Sequence, residues 1–282
     1  MELSLTAFTD KTGAVTGVLV KGKHSGLYQI NAKAVVLATD GIGANAKLVR
    51  LRPDISADVK TSNQPGSQGD GMVLAQKIGA SVTDAKEIQL NQTLLAGSPV
   101  IVSETVRGAG AVFVNKEGKR FISELSTRDV TSAAVSKQTG GVAYEIFDQK
   151  VRDKVKQTGA AFELGLAKEG NTIRELAAAA GIDPDNLEKT MTDYNRYAEN
   201  GKEPEFHRPD GFPKVDKPKY YAIEITPAIH YYRGGLTIDG KTRVINTKGQ
   251  PIKGLFAAGE VTGGVHGKNR LGGNSISETI TF

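Results

Sequence analysis

The chain of 282 residues contains no cysteine. Disulfide bonds, metal sites built from thiolates and covalently attached c-type haem are therefore excluded, because each of them requires cysteine. The sequence also lacks any apolar run close to the roughly 20 residues that a transmembrane helix needs. A signal peptide is not predicted, because Met1 is followed by Glu2 and then by an alternating strand pattern. These absences leave the cellular compartment open.

The sequence also has only a small excess of charge of one sign. Lysine and arginine number 36 against 31 acidic residues, which gives a net charge of +5. The basic residues are scattered among the acidic ones, so nucleic-acid binding is not predicted. A small positive excess is better suited to attracting an anionic substrate. The 39% hydrophobic content is enough to bury a core.

The first part of the chain has the pattern of a β-meander followed by a buried strand. Strands are predicted at 3–8, 14–20, 28–32 and 34–38, and helices at 46–51 and 71–78. After residue 97 a separate unit is predicted, with a hairpin of strands 111–114 and 120–123 and helices at 130–137, 149–157, 173–180 and 184–199. Asn171 and Asp183 are the predicted N-caps of the last two helices. The polar, proline-containing segment 199–219 is predicted to be a linker.

The glycine-rich carboxyl-terminal segment is the most informative part of the sequence. An apolar strand (GLFAAGE, 254–260) leads into the loop VTGGVHGKNRLGGNSIS, 261–277. Glycines let a backbone approach a flat ligand closely, because no Cβ intervenes. A strand that ends in such a loop is how open α/β sheets build cofactor sites.

Five further motifs accompany this loop. They are LATDG at 37–41, SNQPGSQGDG at 62–71, SETVRG at 103–108, STRD at 126–129 and TPAIHYYRGG at 226–235. Together with the carboxyl-terminal loop they resemble the FAD-binding flavoproteins of the fumarate reductase and succinate dehydrogenase family, most closely the soluble flavocytochrome c-type fumarate reductases.

The resemblance implies an α/β fold in which a split, β-rich FAD-binding domain, 1–90 and 225–282, carries an inserted α+β capping domain, 91–224. It implies FAD as the cofactor and reduction of a carbon–carbon double bond in a small dicarboxylate or enoate. The electron donor would be a haem or FMN module outside this chain, and the compartment would be periplasmic or extracytoplasmic. No metal site is implied.

The resemblance also implies roles for individual residues. Arg128 would protonate the substrate carbon, and Arg107 and Glu104 would pass protons toward Arg128. The residues expected to bind substrate are His230, Arg270, Gly273, Ser103, Glu104 and Asn91. The residues expected to bind FAD are Ala38, Thr39, Asp70, Tyr231, Glu260, Asn274, Ser275 and Ile276.

Several residues depart from the family pattern. Asp40 stands where the family has glycine, and its carboxylate would repel a phosphate or flavin. Tyr232 and Arg233 replace threonine and methionine, which should alter the wall beside the flavin. Asn91, in IQLNQT at 88–93, stands where a substrate-binding histidine is expected, so it can donate a hydrogen bond but brings no charge.

The sequence does not contain the amino-terminal βαβ unit with GxGxxG that the family pattern has. That unit would place the FAD pyrophosphate at a helix N-terminus. The helix expected after Phe282 is not found either. The chain is therefore expected to be a fragment. Two alternatives stay open: another flavin chemistry on the same frame, such as a 2-enoate reductase, an amino-acid oxidase or a dehydrogenase, and a non-catalytic fragment that cannot hold FAD alone.

Overall fold

A computed structural model describes residues 4–22, 26–50, 52–56, 58–209 and 211–282. Leu3 and Leu51, the predicted ends of two elements, lie outside the described residues. The contacts divide the chain into two compact units. Unit 1 comprises Met1–Gln89 and Ile229–Phe282, and unit 2 comprises Leu90–Ala228. The sequence placed the corresponding boundaries at 90/91 and 224/225.

Strands occur along the whole chain. They are β1 (Ser4–Thr9), β2 (Val15–Gly22), β3 (Gly26–Asn31), β4 (Val35–Leu37), β5 (Lys60–Thr61), β6 (Val82–Thr83), β7 (Ile88–Leu95), β8 (Val112–Val114), β9 (Ala143–Asp148), β10 (Ala167–Gly170), β11 (Tyr220–Tyr232), β12 (Gly235–Leu236), β13 (Arg243–Ile245) and β14 (Pro251–Ala257).

The α-helices are concentrated in unit 2. They are α1 (Ala46–Val49), α2 (Asp70–Lys77), α3 (Glu104–Gly108), α4 (Arg128–Ser136), α5 (Gln149–Lys154), α6 (Gly159–Glu163), α7 (Ile173–Ala180), α8 (Pro184–Glu199) and α9 (Asn274–Thr281). Within the described ranges, none of the helices has both the length and the apolar character that a membrane span requires.

Unit 1 contains two three-stranded sheets. In the first, β1, β2 and β3 form an antiparallel meander, as the alternating pattern predicted. In the second, β4 runs parallel to β14, and β13 pairs antiparallel with the other edge of β14. The parallel pairing places the carboxyl ends of β4 and β14 side by side, which is where open α/β sheets bind ligands.

Unit 2 is built on a sheet with the strand order β10-β11-β9-β8, in which these pairs are antiparallel. Because side chains alternate across a strand, β9 contributes to two cores. Ala143 and Phe147 belong to a buried cluster with Val106 of α3 and Val135 of α4. On the other face of β9, the buried cluster includes side chains of α7 and α8, namely Leu176, Leu187, Met191 and Tyr194.

The predicted helices 173–180 and 184–199 are found with these bounds. Asp183 caps α8 as predicted, because its carboxylate accepts a hydrogen bond from Asn186 N. The cap of α7 was predicted wrongly: Thr172 rather than Asn171 is the N-cap, and Thr172 Oγ1 accepts from Glu175 N at 3.1 Å.

Of the two strands predicted to form a hairpin, 111–114 and 120–123, only the first is found. β8 is a strand, but residues 120–123 are not, and β8 pairs with β9 instead. The reason lies in Glu124, whose carboxylate accepts from Phe113 N at 3.2 Å and also binds Arg120 at 2.9 Å. The Glu124 side chain thus accepts the hydrogen bond from Phe113 N. In a hairpin, the backbone of the partner strand would have accepted it.

The segment 199–219 is not a simple linker. A linker would be exposed, but Arg208 is only 2% exposed and donates to Glu124 Oε2 at 2.7 Å and to Ala111 O at 3.0 Å. Glu203, Phe212 and Val215 are buried as well. The proline content of this segment correctly predicted an irregular backbone. The burial of its side chains depends on partners that are distant in the sequence, so it was not predicted.

Candidate active site

A cavity of about 460 Å³ opens in unit 1 beyond the carboxyl ends of β4 and β14. Its wall combines small apolar side chains, several carboxyl and hydroxyl groups and two groups that can be cationic. The lining residues are Ala38, Asp40, His230, Tyr231, Ala258, Gly259, Glu260, Arg270, Ser275, Ile276 and Thr279. Ligand sites commonly have this mixture of apolar surface with a few placed polar groups.

His230 lies near the end of β11, and its ring is oriented by Ser62. The Ser62 Oγ and His230 Nδ1 atoms are 2.8 Å apart. Ser62 is itself held by the backbone, because Ser62 N donates to Ile229 O at 2.9 Å. A partner on Nδ1 fixes the ring plane and the tautomer of a histidine, and so decides what Nε2 can do.

Arg270 is buried against the aromatic face of Tyr231, with its guanidinium carbon 4.0 Å from the ring centroid. Its terminal nitrogens donate to Gln89 Oε1 at 3.2 Å and to Ser275 Oγ at 2.5 Å. Gln89 in turn donates to Arg270 O at 2.7 Å. Arg270 is therefore held rigidly, and a planar guanidinium of this kind suits bidentate binding of a carboxylate.

Tyr231 is fixed by a buried acid on α9. Its hydroxyl donates to Glu278 Oε2 at 2.7 Å, and His266 Nε2 lies 3.2 Å from the same oxygen. Burial and the adjacent Glu278 carboxylate raise the pKa of Tyr231. These bonds tie the glycine-rich loop and α9 to β11 in the cavity wall.

Asp40 and Glu260 form a pair of neighbouring acids in this wall. Burial raises the pKa of Glu260 to about 8, with a further contribution from Asp40. Burial also disfavours the charged form of Asp40, but hydrogen bonds from Ser67, Gln64 and Gly41 N outweigh it and lower the pKa of Asp40. At neutral pH the two groups therefore carry one negative charge, on Asp40, and one proton, on Glu260.

Two glycines allow close approach of the chain near the carboxyl end of β4. A Cβ at Gly41 would lie 2.5 Å from Glu260 Oε1, and a Cβ at Gly71 would lie 2.1 Å from Thr39 Oγ1. That Thr39 hydroxyl is buried and has no hydrogen-bond partner among the described residues. A buried, unsatisfied hydroxyl after β4 fits a ligand that brings its own polar atoms.

In unit 2, Glu104, Arg107 and Arg128 come together as the motifs suggested. Glu104 Oε1 accepts from Arg107 NH2 at 2.6 Å and from Arg128 Nε at 2.8 Å. Arg107 and Arg128 are 5% and 7% exposed. One carboxylate oxygen thus joins the two guanidinium groups, which is the connection that a proton relay needs.

Arg107 has an unusual electrostatic environment. Burial lowers its pKa, and the neighbouring Arg128 lowers it further, while Glu104 and Glu145 act in the opposite direction. With the Gln92 amide oriented to satisfy its neighbours, its oxygen accepts from Arg107 and its nitrogen donates to Thr131 Oγ1 at 3.1 Å.

Asn91 and Ser103 have local structural roles in unit 2. Asn91 is fully buried on β7, and its Oδ1 accepts from Thr93 N at 2.9 Å and from Thr93 Oγ1 at 2.8 Å. Asn91 Nδ2 has no hydrogen-bond partner within the described part of the chain. Ser103 is the N-cap of α3, and its hydroxyl accepts from Thr105 N at 3.3 Å.

The structure separates the remaining predicted residues into two groups. Ala38, Tyr231, Glu260, Ser275 and Ile276 line the cavity together with His230 and Arg270. Thr39, Asp70, Gly273 and Asn274 are not among its lining residues; Asp70 begins α2, Gly273 is the N-cap of α9 and Asn274 is its first residue.

Tyr232 and Arg233 are not among the residues that line this cavity, although Tyr232 N donates to the lining Glu260 Oε1 at 2.8 Å. Tyr232 is 1% exposed, and its hydroxyl points to Ala85 O at 3.4 Å. Arg233 donates to Glu87 Oε2 at 2.7 Å and to Gly267 O at 3.0 Å. By contrast, Asp40 does line the cavity, held by Ser67 Oγ at 2.5 Å.

A cavity at the ends of parallel strands, with apolar surface, a few polar groups and a glycine-rich loop beside it, is typical of an oxidoreductase that binds a nucleotide cofactor. The family model described as FAD binding domain matches residues 2–276, and the chain belongs to this family. The predicted cofactor, FAD, is confirmed by this assignment, and the glycine approaches and the unsatisfied Thr39 hydroxyl of unit 1 fit it.

The similar proteins include several reductases. The chain is 45% identical to a probable fumarate reductase (Ifc3) of Shewanella frigidimarina over 269 residues, 95% of this chain and 46% of that protein. It is 38% identical to an NADH:acrylate oxidoreductase of Vibrio harveyi over 261 residues, 88% of this chain and 26% of that protein. An open-conformation structure of a flavocytochrome c3 fumarate reductase matches with a TM-score of 0.81 and 44% identity, covering 98% of this chain and 49% of that one.

These matches confirm the predicted resemblance and the α/β fold class. The chain spans about half the length of the fumarate reductases that it matches. The assignment of unit 2 as a capping domain stays a prediction, as do the roles of individual site residues.

Sequence reasoning missed the residues that hold the predicted ones in place. Ser62 orients His230, Gln89 orients Arg270, Gln92 contacts Arg107, and Glu278 fixes Tyr231. Ser62 and Gln89 stand inside motifs in which other residues carry the resemblance to the family. Glu278 has no local signal, because its burial depends on the packing of α9.

Proposed function

We propose that the chain carries the FAD site and the substrate site of a reductase that acts on the carbon–carbon double bond of fumarate or a related enoate. One observation supports this most strongly: a single oxygen of Glu104 bonds both Arg107 and Arg128. Reduction of a double bond requires a proton as well as a hydride. A carboxylate shared by two buried guanidinium groups gives a guanidinium acid a means of recovering its proton.

Substrate binding is assigned to His230 and Arg270. Both line the cavity, and both are oriented by neighbours rather than left mobile. Their donors would hold a carboxylate of the substrate and stabilise the negative charge that develops on the enoate during reduction. Donors that are fixed in advance stabilise a transition state more than mobile ones do.

When bound, reduced FAD supplies the hydride that adds to one carbon of the double bond. Arg128 provides the proton for the other carbon. The proton on Arg107 then passes to the Glu104 carboxylate and from Glu104 to the neutral Arg128, and Arg107 regains its proton from solvent. Arginine hardly deprotonates in proteins, so the scheme needs an environment that weakens its hold on the proton. Burial, which lowers the pKa of Arg107, supplies such an environment at the step in which Arg107 recharges Arg128.

A monocarboxylate enoate is the second candidate substrate. Asn91, predicted to bind substrate, is uncharged, fully buried and engaged through Oδ1 with Thr93. The relative named as an NADH:acrylate oxidoreductase shows that this family includes a protein named for a monocarboxylate. A haem or FMN module outside this chain is the proposed source of electrons.

The test is anaerobic turnover of the FAD-loaded protein with a reduced viologen dye, with fumarate and acrylate compared. The proposal expects oxidation of the dye that depends on the enoate and that Arg128→Ala slows by roughly 10²–10⁴-fold. Arg174→Ala is the matched control, because Arg174 is an arginine of unit 2 that is about half exposed and pairs with Asp185 on the surface. Dye oxidation that no enoate stimulates would refute the proposal.

A further inference from the structure

Glu145 is a buried acid in the middle of the unit 2 sheet. It lies on β9 opposite Phe113 of β8 and Ile223 of β11. Glu145 is 0% exposed, and neither of its carboxyl oxygens has a hydrogen-bond partner among the residues that the structure describes. Buried carboxyl groups are normally hydrogen-bonded, so this one requires an explanation.

The surroundings of Glu145 are apolar on its own face of β9. Its neighbours along the strand, Ala143 and Phe147, belong to a hydrophobic cluster that also contains Phe113 and Ile223. An aliphatic side chain would suit this position better, because an isolated charged carboxylate is costly to bury. Core packing therefore does not account for a glutamate here.

Three charged groups from other segments of unit 2 interact electrostatically with Glu145. They are Arg107 of α3, Glu124 in the segment before α4 and Arg208 in the segment after α8. Arg208 is already held by Glu124 at 2.7 Å and by Arg107 O at 2.7 Å. Arg107 has the strongest charge interaction with Glu145, and it also donates to Glu104 of the proposed relay.

We propose that Glu145 is a positioning residue that controls how readily Arg107 gives up its proton toward Glu104. This inference rests on the proposed function, because it concerns the same proton relay. While its carboxyl group is neutral, Glu104 is the main counter-ion of Arg107. Once Glu145 is ionised, it becomes a second counter-ion, and Arg107 holds its proton more firmly.

The direction of the pH effect follows from burial. Burial raises the pKa of Glu145 to about 8, while Arg107 and Arg208 act against that increase. Glu145 is therefore mostly protonated at neutral pH and ionises above about pH 8. The relay should be faster below this pH than above it, because a proton that Arg107 holds more firmly leaves more slowly.

The test compares the kcat of Glu145→Gln with the kcat of the parent from pH 6.5 to 9.5, with FAD bound and fumarate saturating. The ratio of variant to parent cancels the titration of groups common to both proteins, such as Glu260. A change of one unit in the pKa of Arg107 alters its acid strength about tenfold. The ratio is therefore expected to rise about three- to tenfold between pH 6.5 and 9.5, with its midpoint near pH 8.

Glu145→Leu is the second variant, because leucine suits the apolar surroundings and its ratio should rise in the same way. Glu169→Gln is the control: Glu169 is an exposed carboxylate on β10 of the same sheet, and its ratio should stay flat. Turnover with a flat ratio for both Glu145 variants would overturn this inference and leave the proposed function intact. Absence of turnover with every enoate would instead overturn the proposed function, and this inference with it.

Discussion

Replacement of Glu145 by glutamine should change how the stability of the protein depends on pH. An unfolded glutamate titrates near 4.5, while in the folded protein burial raises the pKa of Glu145 to about 8. Between these two values the folded chain binds more protons than the unfolded chain does. The contribution of Glu145 to the free energy of unfolding should therefore fall as the pH rises from about 4.5 to 8 and stay constant above that range.

The size of this effect follows from the gap between 4.5 and about 8, which is about 3.5 pH units. At about 1.4 kcal/mol per unit, it corresponds to a loss of up to roughly 5 kcal/mol. Glutamine does not titrate, so the difference in unfolding free energy, variant minus parent, should grow by that amount between pH 4.5 and 8. The sign is fixed by the raised pKa: an acid with a lowered pKa would give the opposite slope.

The assay is urea unfolding of the parent, Glu145→Gln and the control Glu169→Gln at pH 5, 6, 7 and 8. Because it needs no turnover, it examines the state of Glu145 separately from the reaction. Parallel curves for the parent and Glu145→Gln would refute the reasoning, since they would mean that Glu145 titrates alike in the folded and unfolded chains.

Four further predictions concern the two sites. Arg128→Ala should lower kcat by roughly 10²–10⁴-fold with little change in KM, and Arg128→Lys should retain some activity; steady-state kinetics within a few-fold of the parent would show that Arg128 is not the acid. Asn91→His should raise the ratio of fumarate to acrylate turnover by about three- to thirtyfold, because a charge-assisted hydrogen bond contributes more than a neutral one; an unchanged ratio would mean that this position does not set specificity. Ser62→Ala should raise KM for fumarate by about tenfold and change kcat less, because the His230 ring loses its partner; a tenfold lower kcat with an unchanged KM would contradict an orienting role. Gly41→Ala should weaken FAD binding in a fluorescence titration, because its Cβ would lie 2.5 Å from Glu260 Oε1 and such overpacking costs about 1–3 kcal/mol; parent-like affinity would show that the loop can move away.

Periodicity and caps predicted much of the local structure. The bounds of α7 and α8 followed from their apolar spacing and from Pro184 after the Asp183 cap. The β-meander of unit 1 followed from alternation. Local patterns could not reveal that Glu124 takes up a backbone donor of β8, or that Arg208 is buried, because both depend on partners far away in the sequence.

The site was predicted unevenly for the same reason. The motifs located His230, Arg270 and the group formed by Glu104, Arg107 and Arg128, since these side chains stand in distinctive strings. They could not indicate Glu145, which stands in the unremarkable strand pattern of β9 and becomes noticeable only when its burial and its lack of a hydrogen bond are known. Asp70 and Asn274 stand in informative motifs but do not line the cavity, so their roles stay predictions.

The central claim is that FAD bound by this protein passes its electrons to an enoate, and the most direct test follows the flavin itself. The protein is loaded with FAD, reduced with light under anaerobic conditions and mixed rapidly with fumarate, acrylate or succinate while the flavin absorbance near 450 nm is recorded. We expect the oxidised band to return with fumarate or acrylate, to stay absent with succinate and to return far more slowly in Arg128→Ala. A flavin that stays reduced with every enoate would contradict the account.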